Sequence, residues 1–179
     1  MRVTDRDHAL LRSIEDDLLD QAVTTTSILQ KVIILGGRAG SVALRDWARK
    51  ELHGYGGEDD VPSYRTVNAV IQMDYVNGSM HATGQTIGCE DLPDAVTEKG
   101  YDNTITFVQG IAELEAMAAS NGPSKFSRSG NSMIIKMMES KLRGNNPFLQ
   151  ITGLYWVVSS ASITGVGQPR PYIACRACR

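Results

Sequence analysis

The chain has 179 residues, of which 42% are hydrophobic and 21% are charged, and its formal net charge is −2. This composition is typical of a globular protein with a sizeable core, and it excludes the disordered and fibrous classes. The longest apolar runs, such as residues 32–35, are far shorter than the roughly 20 residues of a membrane-spanning helix, and the slight acidity argues against nucleic acid as the main partner.

The first part of the chain predicts three helices. From Asp5, leucine and isoleucine recur every three or four residues, which is the pattern of an amphipathic helix. The hydroxyl cluster at residues 24–27 is typical of a helix N-cap and introduces a second, more apolar helix. A third helix is predicted over residues 42–53, with Trp47 and Leu52 on its apolar side and Glu51 on its polar side.

The acidic N-terminal turns of the chain lack the apolar stretch of a secretory signal, so we expect a cytoplasmic protein.

A β-hairpin is predicted after the third helix, with strands at about 64–76 and 79–88. The hydrophobic period changes to two in this region. The Asn77–Gly78 pair favours a type I′ turn, in which both central residues have positive φ.

The second half of the chain adds helices and a late strand. The residues from Thr104 onward fit a helical face, although 104–108 alone would also suit a strand, and the helix is the interpretation we favour. A loop is expected over residues 120–132, followed by a helix that Ser132 caps and then a strand at about 149–158. The predicted fold class is therefore α+β: an N-terminal three-helix unit packed with a small antiparallel sheet, which combines the hairpin and the late strand, and two further helices.

The most distinctive stretch of the sequence is LRDWARKELHGYGGEDDVPSYR at residues 44–65. It resembles the AbiTii family, a domain of bacterial abortive-infection and related phage-defence loci, whose members carry an E-L-x-x-W-x-x-x-E-L-x-G-Y core and an acidic D-[DE]-x-P-x-Y-R segment. The runs ITFVQGIAELEAMA and LYWVVSSASITGV also resemble the family, so that the similarity covers roughly residues 10–166. The matching positions in the first stretch are Leu44, Trp47, Glu51, Leu52, Gly54, Tyr55, Asp59, Asp60, Pro62, Tyr64 and Arg65.

The end of the chain departs from the family pattern. The resemblance predicts a single AbiTii-like domain over residues 1–166 and then a closing helix, but this chain reads GVGQPRPYIACRACR. Its two prolines, Pro169 and Pro171, are incompatible with a helix interior. We therefore expect residues 167–179 to be an aberrant, disordered tail; a truncation or frameshift is one hypothesis for it, and a native tail is the other.

No complete catalytic or metal-binding constellation is visible in the sequence. The histidines are far apart and lack metal-ligand spacing. Cys175 and Cys178 form a C-x-x-C, and only Cys89, His81 or His53 could complete a zinc site with them. An incidental pair in an aberrant tail is the interpretation we favour. No cofactor and no metal are therefore expected.

Two charged groups on the third helix and the loop after it form a candidate binding surface. The first is a basic stripe formed by Arg45, Arg49 and Lys50. It is either a solvated helix face with ion pairs to Asp46 and Glu51 or a contact surface for an acidic or phosphate-bearing ligand. The second is the acidic run at residues 58–60, whose carboxylates we expect to pair with arginines because the spacing is not that of a calcium loop. The candidate binding residues are Arg45, Arg49, Glu51, Tyr55, Asp59, Asp60, Tyr64 and Arg65, and the arginines expected as partners of the acidic run are Arg45, Arg49 and Arg65.

Two hypotheses about function follow. The AbiTii resemblance implies a phage-defence context without assigning catalytic residues, so the first is a non-enzymatic interaction or regulatory module whose partner is another protein of the same defence locus. Nucleic acid or a nucleotide is an alternative partner that the charge does not favour, and no membrane partner is expected. The second is a defence effector enzyme such as a nuclease, whose carboxylates converge with a histidine or lysine in one cleft. Its candidate carboxylates are Glu51, Asp59, Asp60, Asp74, Glu113 and Glu115.

Overall fold

A computed structural model of the chain describes residues 5–120, 122–144 and 146–168. The chain forms two compact units, each built from separate stretches of sequence. The first unit comprises Met1–Arg65, Phe107–Ser120 and Ala161–Arg179, and the second comprises Thr66–Thr106 and Asn121–Ser160.

The described residues form helices and short antiparallel strands, which confirms the predicted α+β class. The helices are α1 (Asp5–Leu19), α2 (Thr25–Arg38), α3 (Val42–His53), α4 (Asp94–Thr97), α5 (Ile111–Ala118), α6 (Asn131–Leu142) and α7 (Ser160–Gly167). The strands are β1 (Thr66–Asn68), β2 (Val70–Asn77), β3 (Met80–Ile87), β4 (Thr104–Thr106), β5 (Ser124–Phe126) and β6 (Leu149–Val158). Short 3₁₀ turns lie at Ser63–Arg65 and Cys89–Asp91.

The three N-terminal helices of the first unit confirm the prediction from periodicity. The Thr24 side chain caps α2 by accepting a hydrogen bond from the Ser27 N–H (3.3 Å), as the hydroxyl cluster predicted. Gly54 ends α3 with a φ of +99°, a value that favours glycine. The apolar faces of the helices supply fully buried side chains, including Ile14 and Ile28. These helices form the core on which the candidate site is built.

The second unit contains a four-stranded antiparallel sheet in the order β3-β2-β6-β5. The predicted hairpin (β2 and β3) and the predicted late strand (β6) are confirmed. The hairpin turn differs from the prediction because Asn77 pairs with Met80, so that the turn residues are Gly78 and Ser79. Only Gly78 has a positive φ (+61°), which fits a type II′ turn and not the predicted type I′.

Three other predictions are corrected in chain order. Tyr64 and Arg65 lie in a 3₁₀ turn, and the predicted first strand continues as a separate β1, which pairs with β4 in a two-stranded sheet. The favoured helix from Thr104 is instead strand β4 followed by α5. The expected loop at 120–132 contains strand β5 and the start of α6, whose N-cap residue is Gly130 and not Ser132.

The last described element is α7, which ends at Gly167. The prediction of a disordered tail over residues 167–179 falls, from residue 169 onward, outside the described residues. Within the described ranges, no helix is both long enough and apolar enough to span a membrane.

Candidate functional site

The buried side of α3 carries a charged residue. Leu44, Trp47, Ala48 and Glu51 are the buried residues of α3, and they follow the three- and four-residue spacing of one helix face. The prediction that Glu51 lies on the polar side was therefore wrong. Leu52, which was predicted to lie on the apolar side of the helix, is only partly buried. A carboxylate is stable at such a position only when other groups satisfy it.

Glu51 forms a fully buried ion pair with Arg65. The Arg65 Nη2 atom lies 2.9 Å from the Glu51 Oε2 atom, and both side chains are 0% exposed. The other terminal nitrogen of Arg65 donates to the backbone carbonyls of Phe107 (3.2 Å) and Gln109 (2.6 Å). These additional hydrogen bonds offset part of the desolvation penalty that a buried ion pair incurs.

Two tyrosines complete the hydrogen bonding of the Glu51 carboxylate. The hydroxyls of Tyr55 (2.5 Å) and Tyr64 (2.6 Å) both donate to Glu51 Oε1. The Trp47 indole N–H donates to the Tyr64 hydroxyl oxygen at 2.9 Å. The Arg65 guanidinium also lies 4.8 Å from the centre of the Tyr55 ring, within the range of a cation–π contact. We call these five residues, Trp47, Glu51, Tyr55, Tyr64 and Arg65, the Glu51 network.

The network changes the proton affinity of both phenols. Burial raises the pKa of Tyr64 to about 12; the hydrogen bond to Glu51 adds to the rise, and the one from Trp47 opposes it. Burial, followed by the hydrogen bond to Glu51, raises the pKa of Tyr55 well above its ordinary value of 10. Both phenols therefore keep their protons at neutral pH and act as donors to the carboxylate.

Backbone contacts hold the ends of the network together. The Tyr55 N–H donates to the Val108 carbonyl (2.8 Å), and the Phe107 N–H donates to the Arg65 carbonyl (2.9 Å). The packing here leaves no room for a side chain at Gly110, since an added Cβ would lie 2.5 Å from the Leu52 carbonyl oxygen. The Glu51 network thus joins the end of α3, the turn at Ser63–Arg65 and the segment before α5.

The acidic loop is fixed by Asp59. Its carboxylate accepts a hydrogen bond from the Gly56 N–H (2.6 Å) and pairs with the Lys50 ammonium (2.7 Å). The Lys50 contact, followed by the Gly56 N–H, lowers the pKa of Asp59. The prediction of an arginine partner is therefore corrected for Asp59, because Lys50 lies one helical turn before the end of α3 and is the nearer cation.

One of the two ion pairs predicted for the basic stripe of α3 is confirmed, and the other is corrected. Arg45 lies 3.4 Å from Asp46, which confirms that predicted ion pair. The predicted pairing of the stripe with Glu51 was wrong, because the Glu51 carboxylate is buried with Arg65. Arg49 is exposed, and so is Asp60 in the acidic loop.

These observations divide the eight candidate binding residues. Glu51 and Arg65 are 0% exposed and Tyr55 is 8% exposed, so their predicted place on an exposed surface is corrected. Of the eight, Arg45, Arg49, Asp59, Asp60 and Tyr64 are exposed or half-buried. That they bind a partner stays a prediction.

Three of the carboxylates named in the enzyme hypothesis each have a different binding partner in the structure. Glu51 is held by the network and Asp59 by Lys50, whereas Asp74 of the second unit accepts a hydrogen bond from the Gly84 N–H (2.6 Å). Within the part of the chain that the structure describes, no three histidine, cysteine or acidic side chains are grouped so as to hold a metal ion. The predicted C-x-x-C pair, Cys175 and Cys178, lies outside the described residues.

Sequence reasoning missed the Glu51 network, although one signal was present. Leu44, Trp47, Ala48 and Glu51 follow one another at three, one and three residues, the repeat of a single helix face. The repeat was not recognised because Glu51 is charged and was therefore assigned to the exposed side of the helix. The partner, Arg65, is fourteen residues further on and cannot be assigned from spacing alone.

Comparisons with known proteins give one match. The sequence model of the AbiTii family matches residues 9–168, a range that includes every residue of the Glu51 network. The comparisons with curated proteins and with solved structures gave no match.

Proposed function

The chain belongs to the AbiTii family, and from this premise we propose that it is a non-enzymatic interaction or regulatory module of a bacterial phage-defence system. The family implies an association with abortive infection, which supplies the setting. Its partner is another protein of the same defence locus. The docking surface is formed by the exposed part of α3 and the acidic loop.

One observation carries this proposal: the residues responsible for the family resemblance serve to fix the geometry of α3 and the loop that follows it. All five members of the Glu51 network are among them, and the Glu51–Arg65 pair at their centre is fully buried. A surface that is rigid before binding loses less conformational entropy on association, so the network favours specific recognition by its exposed neighbours.

The exposed neighbours have the mixed charge of an interface rim. Arg49 and Asp60 are exposed, and the Lys50–Asp59 pair between them is partly exposed, at 42% and 28%. Charges of both signs at fixed positions select a partner with the complementary pattern and set the rate of association. A partner with acidic groups opposite Arg49 and basic groups opposite Asp60 fits this arrangement.

The test is recovery of the tagged full chain from phage-challenged bacterial cells, followed by mass spectrometry of the proteins retained with it. We expect a protein of the defence locus to be retained by the unaltered chain and lost with Arg49→Glu. Arg12→Glu is the matched control, since Arg12 is exposed on α1, is not one of the residues of this surface, and undergoes the same charge reversal.

Two results would contradict the proposal. Equal loss of the partner with both variants would show that the effect does not belong to this surface. Cleavage of DNA or RNA by the purified chain alone, abolished by a carboxylate substitution, would favour the effector-enzyme alternative.

A further inference from the structure

β3 is the longer of the two outer strands of the four-stranded sheet. The other, β5, has three residues and includes the exposed Lys125, whereas β3 has eight. Within the described ranges, no strand pairs with β3 on the side away from β2. Outer strands present unpaired backbone groups, and proteins usually keep other chains from pairing with them by means of a short strand, charged residues or proline. The β3 sequence, MHATGQTI, has no lysine, arginine, acidic residue or proline, so it lacks all three protections.

A β-bulge interrupts this outer strand. Thr83 and Gly84 of β3 both lie opposite Asp74 of β2, at the point where the register of the pair shifts by one residue. Gly84 has a φ of +67°, a value that favours glycine. An extra residue of this kind bends the strand and increases its twist, so β3 does not offer one straight edge along its length.

The Asp74 side chain fixes the bulge. Its carboxylate accepts a hydrogen bond from the Gly84 N–H at 2.6 Å. In a regular strand, each backbone N–H is directed either to the neighbouring strand or to the open edge. The Gly84 N–H is instead bound by a side chain of β2, and a hydrogen bond to a carboxylate is stronger than one between neutral groups. Asp74 therefore stabilises the bent form of β3.

We propose that the bulge held by Asp74 and Gly84 keeps β3 from pairing with the β3 strand of a second copy of this chain. Two straight β3 strands would pair antiparallel about a two-fold axis and form a closed dimer. Their sequence has no lysine, arginine or acidic residue that would repel its own copy. The bend limits such a pair to a few residues. The bulge lies in the second unit and uses none of the residues of the α3 surface, so its role does not depend on the function proposed above.

The test straightens β3 by deletion of Gly84. The deletion leaves one β3 residue opposite each β2 residue, so the side chains on both sides of the bulge keep their faces of the sheet. Size-exclusion chromatography with light scattering measures the molar mass of the full chain over a series of concentrations. We expect the mass of the deletion variant to rise with concentration towards twice that of the unaltered chain, which should show no such rise.

Two lysine substitutions in the deletion variant locate the contact. His81→Lys adds the same charge to both copies of β3 and should abolish the rise in mass, because charged residues on an outer strand oppose pairing. Gln150→Lys is the matched control. Val76 of β2 pairs with both His81 and Gln150, so the three residues form one row across the sheet, and Gln150 is exposed on the inner strand β6. This second lysine should leave the rise unchanged.

A further variant separates association from folding. Asp74→Thr keeps every residue of β3 and removes the carboxylate, so it should cause a smaller rise in mass, and circular dichroism checks that each variant is folded. A folded deletion variant with the mass of the unaltered chain would overturn the proposal. If the deletion variant is unfolded, an unchanged mass of Asp74→Thr has the same consequence. Equal effects of His81→Lys and Gln150→Lys would also contradict it, as would a fall in the mass of the otherwise unaltered chain with His81→Lys, because β3 would then already be paired.

Discussion

Glu51 is charged, yet it belongs to the core of the first unit. Its carboxylate accepts hydrogen bonds from two tyrosines and pairs with a guanidinium that is itself bound to two backbone carbonyls. The attraction between buried charges is balanced by the penalty of removing them from water, so the pair adds little net stability. Loss of one partner has a much larger effect, because the remaining charge stays buried and uncompensated.

Glu51→Gln should lower the free energy of unfolding by about 3–5 kcal/mol, because Arg65 keeps its charge without a counterion. Urea unfolding followed by circular dichroism measures the change. Asp59→Asn is the comparison, since the Lys50–Asp59 pair is solvent-exposed in part and its loss should shift the midpoint far less. A double variant, Glu51→Gln with Arg65→Met, should recover part of the loss; additive effects would show that the two side chains are not coupled.

The tyrosines of the network make stability sensitive to alkali. The pKa of Tyr64 is about 12 in the folded chain and 10 in the unfolded chain, so at high pH the folded state holds more protons than the unfolded state. The stabilisation is complete below pH 10 and is lost as the pH rises towards 12. We expect the unfolding midpoint to fall over this window, and to fall less in Tyr64→Phe. The measurement is urea unfolding at a series of pH values, with Tyr155→Phe as the matched substitution outside the network; equal behaviour of the two variants would exclude a role for Tyr64.

The close approach of α2 to α3 at Arg45 requires glycine at position 36. A Cβ added to Gly36 would lie 2.9 Å from the Arg45 backbone nitrogen, whereas one added to Gly37 would have no atom within 4 Å. Both glycines lie inside α2, next to each other in sequence. They therefore separate the effect of packing from that of helix propensity.

Substitution of these two glycines by alanine should have opposite effects. Gly36→Ala should destabilise the chain by about 1–3 kcal/mol, because α3 has to move away from α2. Gly37→Ala should stabilise it by about 0.5–1 kcal/mol, because alanine loses less conformational freedom in a helix. Thermal unfolding of both variants checks the signs. Stabilisation by Gly36→Ala would mean that the two helices are not in close contact at this point.

The sequence predicted the elements that local interactions stabilise, and it did not predict those that depend on residues far apart in the chain. Helices α1–α3 were predicted because their periodicity and caps are local, and β2, β3 and β6 because alternation and a tight turn are local too. Strands β4 and β5 were missed, since three-residue strands have no period of their own and form only by pairing with β1 and β6. The Glu51–Arg65 pair was missed for the same reason: its partners are brought together by the turn at Ser63–Arg65 and the segment before α5, not by spacing.

The chain passes between the two units four times. The first unit contains residues on both sides of the two stretches, of about 40 residues each, that form the second unit. If the second unit unfolded alone, the first would have to hold both stretches as closed loops. Each closure costs about 3 kcal/mol by the logarithmic dependence on loop length. The sum of about 6 kcal/mol is comparable to the total stability of a typical domain.

We therefore expect the two units to unfold together. Each unit contains one of the two tryptophans, Trp47 in the first and Trp156 in the second, so the variants Trp47→Phe and Trp156→Phe leave one fluorescent reporter per unit. In each variant the fluorescence midpoint in denaturant should coincide with the circular dichroism midpoint, because the first unit alone would have to close two loops of about 40 residues, and the second unit alone would have to close residues 107–120 as a loop. Adding Glu51→Gln to Trp47→Phe should shift the Trp156 signal as well, although the substitution lies in the first unit. A Trp156 transition that ignores Glu51→Gln would mean that the second unit folds on its own.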